Sequence, residues 1–240
     1  MKVGVVSDIH ANLVALEAVF DAMGSVDELW VCGDTVGYGP DPSDVLALLV
    51  ARKATIVAGN HDRAVATGED LDLFNAPAAV AAKTHQAWLS AAERDMLAAL
   101  PRTLETSDVT LCHGSLRDPL WEYVTNPRSA AASLALAKTA HCCAGHTHVP
   151  SLFRAGPGGE PGRVRYETPY PLAPRAFLNP GSVGQPRDGD SRAAYAVLDL
   201  RDAGGTVTFH RATYRVEETQ RRIRERGLPP IFADRLRFGL

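Results

Sequence analysis

The stretch Val3-Gly4-Val5-Val6-Ser7-Asp8-Ile9-His10 sets the frame for the whole chain. An unbroken apolar run of this length fits a strand buried on both faces, as in a parallel sheet. It breaks off into the polar group Ser7-Asp8-Ile9-His10, and a helix follows. Asn12 stands where a cap belongs, and Leu13, Leu16, Phe20 and Met23 keep the 3-and-4 spacing of one helix face. The unit then repeats. Residues 29–32 read as a strand ending in Gly33-Asp34, residues 43–52 as a helix, and residues 55–58 as a strand ending in Gly59-Asn60-His61-Asp62. Strand–helix–strand order with short links predicts a parallel sheet covered by helices.

Residues 64–101 carry no strand signal. The Ala- and Leu-rich stretch 76–100 holds the capping box Ser90-x-x-Glu93, and Pro101 closes it. This segment reads as a helical, cap-like insertion. Strands resume at 109–112 and 141–144, around a helix at 129–138. Beyond Pro150 the chain turns β-rich, with strands expected at 163–168, 176–178, 194–200 and 206–214 and a charged helix at 217–226. The Gly- and Pro-rich run 156–162 reads as a turn or hairpin tip.

At 240 residues the chain fits one large domain, taken as residues 1–240, that can bury a sizeable core. Hydrophobic residues make up 45% and charged residues 22%, which excludes a disordered chain or a coiled coil. The formal net charge of −3 argues against wrapping long nucleic acid. No uncharged apolar stretch reaches the ~18 residues of a membrane span. Cys32, Cys112, Cys142 and Cys143 form no C-x-x-C and lie in apolar runs, so they read as buried, reduced thiols. Together with the lack of a signal-peptide pattern at the N-terminus, this points to a cytoplasmic protein.

The polar residues that follow each strand carry the chemistry. They are Asp8 and His10, Asp34, Asn60-His61-Asp62, His113, and His146 with His148. Five of the eight histidines fall in these short segments. In parallel sheets such strand ends face one crevice, where ligands bind. Each motif alone is common, and a helix cap or a solvated strand end would explain it. Their joint, ordered occurrence is not so explained. Carboxylate, imidazole and amide donors without thiolate suit Mn, Fe, Zn, Ni or Co, and their number suits two divalent metal ions sharing a carboxylate. Two such ions ~3.5–4 Å apart form the clamp used for in-line displacement at phosphorus. A serine hydrolase is excluded, because no G-x-S-x-G elbow occurs. Dinucleotide binding is excluded too, because Asp and His stand where a G-x-G-x-x-G loop would begin.

As an ordered set, Asp8-x-His10, Gly33-Asp34, Gly59-Asn60-His61-Asp62, His113 and Gly145-His146-x-His148 resemble the motifs of the calcineurin-like metallophosphoesterase superfamily. The runs Gly33-Asp34-Thr35-Val36-Gly37-Tyr38-Gly39-Pro40 and Asn179-Pro180-Gly181-Ser182-Val183-Gly184 look like its small bacterial phosphodiesterase-like branch. The resemblance implies an α/β (α+β) fold, a four-layer αββα sandwich of two mixed β-sheets flanked by helices. It implies that Asp8, His10, Asp34 and His148 hold one metal. Asp34, Asn60, His113 and His146 would hold the other. His61 would face the substrate phosphate with Asp62 orienting it, and a metal-bridging hydroxide would attack phosphorus. The loop 179–184 would lie at the mouth of the site. Ala11 stands where the family usually has Gly, outside the ligand set.

The function expected is hydrolysis of a small phosphate ester, with monoesters, diesters and dinucleoside polyphosphates all open. The alternative is a non-catalytic metal-binding interaction module of the same fold. Tyr38, Arg63, Arg117 and Arg187 lie near motif loops and are candidates for phosphate or leaving-group contact. His85, in a helical stretch, and His210, in a strand, read as ordinary surface or core residues, and His141, which opens a strand, reads as structural. Edge strands in the β-rich third offer a route to an oligomer. Two divalent ions against Asp8, Asp34 and a hydroxide leave the pocket at about +1, so an acidic protein can still attract a phosphate ester.

Overall fold

The computed structural model of the chain describes residues 1–155, 162–201 and 204–240. The first third runs β1 (Lys2–Val6), α1 (Leu13–Met23), β2 (Glu28–Val31), α2 (Pro42–Ala51), β3 (Thr55–Ile56) and α3 (Asn60–Thr67). A short 3-10 turn, Leu71–Leu73, leads into α4 (Ala76–Trp88) and α5 (Ala91–Ala98). Then come β4 (Thr103–Glu105), β5 (Val109–Cys112), α6 (Pro127–Leu134), β6 (His141–Cys143), β7 (Ser151–Arg154), β8 (Gly162–Arg163), β9 (Pro169–Pro171) and β10 (Ala176–Asn179). The chain closes with β11 (Ala193–Asp199), β12 (Thr206–Ala212), α7 (Val216–Glu225) and α8 (Ile231–Asp234).

Two mixed sheets result. One has the order β3-β2-β1-β11-β12-β9 and the other β4-β5-β6-β10-β7-β8. β1, β2 and β3 are parallel, as the repeated strand–helix unit requires, and β11, β12 and β9 add antiparallel strands. β5, β6 and β10 are parallel in the second sheet. Alternation along β1 sets the layers. Val3 and Val5 face the second sheet and pack with Trp30, Leu111, Leu178 and Phe209. Val6 faces outward and packs with Leu16, Val19 and Leu49 of α1 and α2. α6 covers the outer face of the second sheet through Ala130 and Leu134 against Phe177. The order of layers is therefore helix, sheet, sheet, helix. Each fully buried large side chain in this stack contributes ~1.5–3 kcal/mol over leaving it exposed.

Among the described residues, side-chain caps start four of the helices. Asn12, Asn75 and Asn126 accept the backbone N–H groups of Ala15, Ala78 and Ser129 and start α1, α4 and α6. Ser90 and Glu93 form the expected capping box and split the predicted 76–100 helix into α4 and α5. The helix expected at 129–138 ends at Leu134, where the Arg175 guanidinium takes the carbonyls of Leu134, Ala137 and Thr139. The strand expected at 163–168 is broken, because Glu167 sits at φ +58°. Only β8 and an isolated bridge from Tyr166 to Phe209 form there. Residues 156–161 of the expected Gly-rich turn lie outside the described residues. The four cysteines are free and buried. Among the described residues, no helix is long and apolar enough to cross a membrane.

Candidate metal centre

The C-terminal ends of β1, β2 and β3 meet those of β5 and β6, so the converging strand ends come from both sheets. The loops beyond them are held in an uncommon backbone conformation. Among the described residues ten non-glycine residues have positive φ, and seven lie here: Asp8, His10, Ala11, Asp34, Tyr38, His146 and His148. Such conformations persist only where surrounding contacts over-determine them. Here the first two loops zip together. Asp8 N–H donates to Gly33 O (3.0 Å), His10 N–H to Asp34 O (3.0 Å) and Ala11 N–H to Thr35 O (2.9 Å). Gly59, the residue before α3, allows Asp34 its position: a Cβ there would stand 2.1 Å from Asp34 Oδ1.

Two sets of donor atoms converge. One atom each from Asp8, His10, Asp34 and His148 lies within 4.8 Å of the others, and so does one each from Asp34, His113 and His146. Asn60 Oδ1 joins the second set, 3.0 Å from His113 Nε2. All seven residues are buried.

The imidazole tautomers decide what these sets can hold. His10 Nδ1 faces Val36 O (3.0 Å), His148 Nδ1 faces Gln185 O (2.6 Å) and His113 Nδ1 faces Cys32 O (2.8 Å). His146 Nε2 faces Trp121 O (3.1 Å). A carbonyl can only accept, so each of these nitrogens carries the ring proton and the other carries a lone pair. The bare nitrogens then point at one another: His10 Nε2 is 3.2 Å from His148 Nε2, and His113 Nε2 is 3.0 Å from His146 Nδ1. Asp34 Oδ2 lies 3.3 Å from His113 Nε2 and 3.6 Å from His10 Nε2, and Asp8 Oδ1 lies 3.3 Å from His148 Nε2. The inward-facing atoms are acceptors, which fits divalent cations with oxygen and nitrogen ligands.

Without a cation, protons must relieve this crowding. Burial lowers His10 and His148 well below the usual histidine range and His146 to about 3. Burial also disfavours charge on His113, but Asp34 and Asp8 outweigh it and hold that ring up at about 9. Burial, with the charge of Asp34 added, raises Asp8 to about 7. Asp34 itself stays well below the carboxylate range despite burial, because His113, His61 and His10 surround it.

A family model, the calcineurin-like phosphoesterase superfamily domain, matches residues 1–203. The chain belongs to the calcineurin-like phosphoesterase superfamily. The solved metallophosphoesterase of Sphaerobacter thermophilus is 39% identical, with all of both chains covered and a TM-score of 0.89. A hypothetical protein of Pyrococcus horikoshii has a TM-score of 0.80 at 18% identity, covering 100% of this chain and 98% of that one, a likeness of fold. An uncharacterised protein of Methanocaldococcus jannaschii is 30% identical over 99% of this chain and 98% of its own length.

Around the donor sets, this phosphoesterase-superfamily chain departs from several expectations. Asp62 does not orient His61. Its Oδ1 accepts from Thr35 N–H (2.8 Å), Thr35 Oγ1 (2.6 Å) and Val36 N–H (3.1 Å), and its Oδ2 from Gly59 N–H (2.9 Å). Asp62 thus holds the Asp34 loop against the first turn of α3. His61 is placed by its backbone N–H, which donates to Asp34 Oδ1 (2.9 Å), and by ring contacts with Tyr38 (4.3 Å) and Phe74 (4.6 Å). Its Nδ1 is buried and has no partner among the described residues, and burial lowers its pKa to about 4.

The loop 179–184 is not at the mouth but buried behind the site. Ser182 Oγ and Gly184 N–H both donate to Asp8 O (2.7 and 2.9 Å), and Asn179 Nδ2 reaches the Gly145 carbonyl. Of the four contact candidates, Tyr38 and Arg187 line the cleft. Arg63 turns away to Glu69 (3.0 Å), and Arg117 pairs with Glu122. His85, read as ordinary, is fully buried and braces the Tyr38 loop: its Nδ1 accepts from Gly37 N–H (3.0 Å) and its Nε2–H donates to Gly39 O (2.8 Å). A histidine on an Ala-rich helix gives no sequence signal for that role.

Proposed function

We propose that this chain hydrolyses small phosphate esters with two divalent ions, one held by Asp8, His10, Asp34 and His148, the other by Asp34, Asn60, His113 and His146. The observation that carries this reading is the pinned tautomers, which turn lone pairs inward from two sets sharing Asp34. Bound ions supply Lewis-acid neutralisation of phosphoryl charge and an activated water near neutral pH. The protein's own residues do the rest. Backbone carbonyls fix each imidazole so that no ring has to flip when an ion binds, and His113, held protonated by Asp34 and Asp8 in the absence of an ion, gives up its proton. Neutral His61, whose ring lines the cleft, makes a hydrogen bond with a phosphoryl or leaving oxygen. Arg187, whose buried Nε has no partner among the described residues, offers a guanidinium to the phosphate. A small ester is the substrate, because the net charge of −3 disfavours long nucleic acid.

The test crosses metal with substrate. Chelator-stripped protein is reloaded with Mn, Fe, Zn, Ni or Co and assayed on an aryl phosphomonoester and an aryl phosphodiester. Turnover that returns with metal and disappears in Asp34→Ala and Asn60→Ala is expected. Full activity in both variants would refute the reading. Stoichiometric metal without turnover of either ester would favour a non-catalytic binding module instead.

A further inference from the structure

The open side of the metal centre is walled by aromatic rings from two loops. Phe74 follows the 3-10 turn before α4, and Trp121 and Tyr123 lie between β5 and α6. Phe74 meets His61 edge-on at 4.6 Å and Trp121 at 5.2 Å, so the two loops touch across the cleft. Tyr123 lies flat on His146, with ring centroids 3.9 Å apart and planes 25° apart. Phe74 and Trp121 are half-buried, and Phe74 packs against the cluster of Tyr38 and Phe232. Tyr123 is 52% exposed, so the face turned away from His146 meets solvent.

The rim is also rigid. His146 Nε2–H donates to Trp121 O (3.1 Å), which fixes the loop to a metal-facing side chain. Asp118 Oδ1 accepts from Leu120 and Trp121 N–H (both 3.2 Å), and Glu122 receives Ser115 Oγ and Arg117. Half-buried and exposed rings held this firmly at a cleft mouth mark a binding surface. The cleft itself is about 90 Å³, far below the ~300–1,000 Å³ of pockets that enclose a whole organic ligand. A phosphoryl group at the metal centre therefore leaves the remainder of its ester lying on the rim.

We propose that Phe74, Trp121 and Tyr123 form a stacking subsite for a planar aromatic ring carried by the alcohol of the phosphate ester, as in a nucleoside phosphate. This rests on the phosphoesterase reading, since the metal centre anchors the phosphate end. Stacking of one base on such a platform contributes ~1–3 kcal/mol, on the order of ten- to a hundredfold in affinity.

Stopped-flow tryptophan fluorescence on the metal-loaded protein reads binding before turnover. Adenosine 5′-monophosphate is titrated directly, and ribose 5-phosphate is measured by its displacement. The adenosine ester should quench fluorescence and bind at least about tenfold tighter than the ribose ester. Tyr123→Ala keeps Trp121 as reporter and leaves the Phe74 contact with His61 in place. In this variant the adenosine ester should weaken toward the ribose value while the ribose ester is unchanged. Equal affinity of the two ligands in the wild type, or equal weakening of both in the variant, would overturn the subsite. Base-dependent binding without hydrolysis of any ester would instead retire the esterase reading and leave the subsite standing.

Discussion

Acidification should loosen this protein through a residue that touches no metal ligand. His85 is neutral where it braces the Tyr38 loop, because its Nδ1 must stay bare to accept from Gly37 and both ring nitrogens are buried. Burial, helped by the nearby His61 and Arg226, lowers it from the ordinary 6.5 to about 4. The sign follows from linkage. Between pH 6.5 and 4 the unfolded chain binds a proton at this position and the folded chain does not. The stability is complete above 6.5, falls as pH drops, and levels off below about 4. The whole difference is about 3 kcal/mol, of which about 2 kcal/mol is lost by pH 5.

Other histidines titrate too, so the measurement is a difference. Urea unfolding of wild type and His85→Gln, both in chelator, is run at pH 7.5 and pH 5. Gln can make similar hydrogen bonds but does not titrate. The stability gap between the two proteins should shrink by about 2 kcal/mol at the lower pH. A gap that stays constant across this range would show that His85 is not held neutral by its burial, and the reasoning would fail.

Three further outcomes follow from the same geometry. Gly59→Ala drives a methyl to 2.1 Å from Asp34 Oδ1, so metal retained after dialysis should fall as affinity drops ~10- to 100-fold; unchanged metal content would contradict the close approach. Asp62→Ala strands the N–H groups of Thr35, Val36 and Gly59, at ~1–3 kcal/mol each, so a thermal melt should show a clear loss. A variant that melts normally and loses only turnover would restore Asp62 as a partner of His61. Arg187→Ala should raise KM for an aryl phosphate on the order of tenfold or more, while Arg63→Ala, at an exposed pair with Glu69, should leave it alone; a shared effect would argue against a phosphate contact.

What could be read from the residues was where strands stop. The apolar run of Val3 to Val6 ends at Asp8, and the same break recurs at Asp34, Asn60, His113 and His146. Polar residues placed directly after buried strands have few other places to go, so their convergence was legible. The orientation of Asp62 was not. A carboxylate at the third position of a helix serves nearby amides as readily as a neighbouring imidazole, and three-dimensional proximity to Thr35 and Val36 decided it. β4, β7 and β9 escaped the reading because strands of three or four residues carry little periodicity, and Pro169 and Pro171 weaken the signal in β9. Trp121 and Tyr123 sit in a loop whose sequence has no period at all. Their place follows from the bond between His146 and Trp121 O, a contact across 25 residues.

The loop 179–184 and Gln185 give the centre a schedule. Ribosomes deliver the N-terminal end first, and Asp8 emerges long before His148. Even then the set is incomplete, since Asp8 is steadied by Ser182 and Gly184, and His148 is held in its tautomer by Gln185 O. A nascent chain shorter than about residue 185 has every side chain of the two sets and none of this backing. The two donor sets therefore take their final order only after the chain has passed about residue 185.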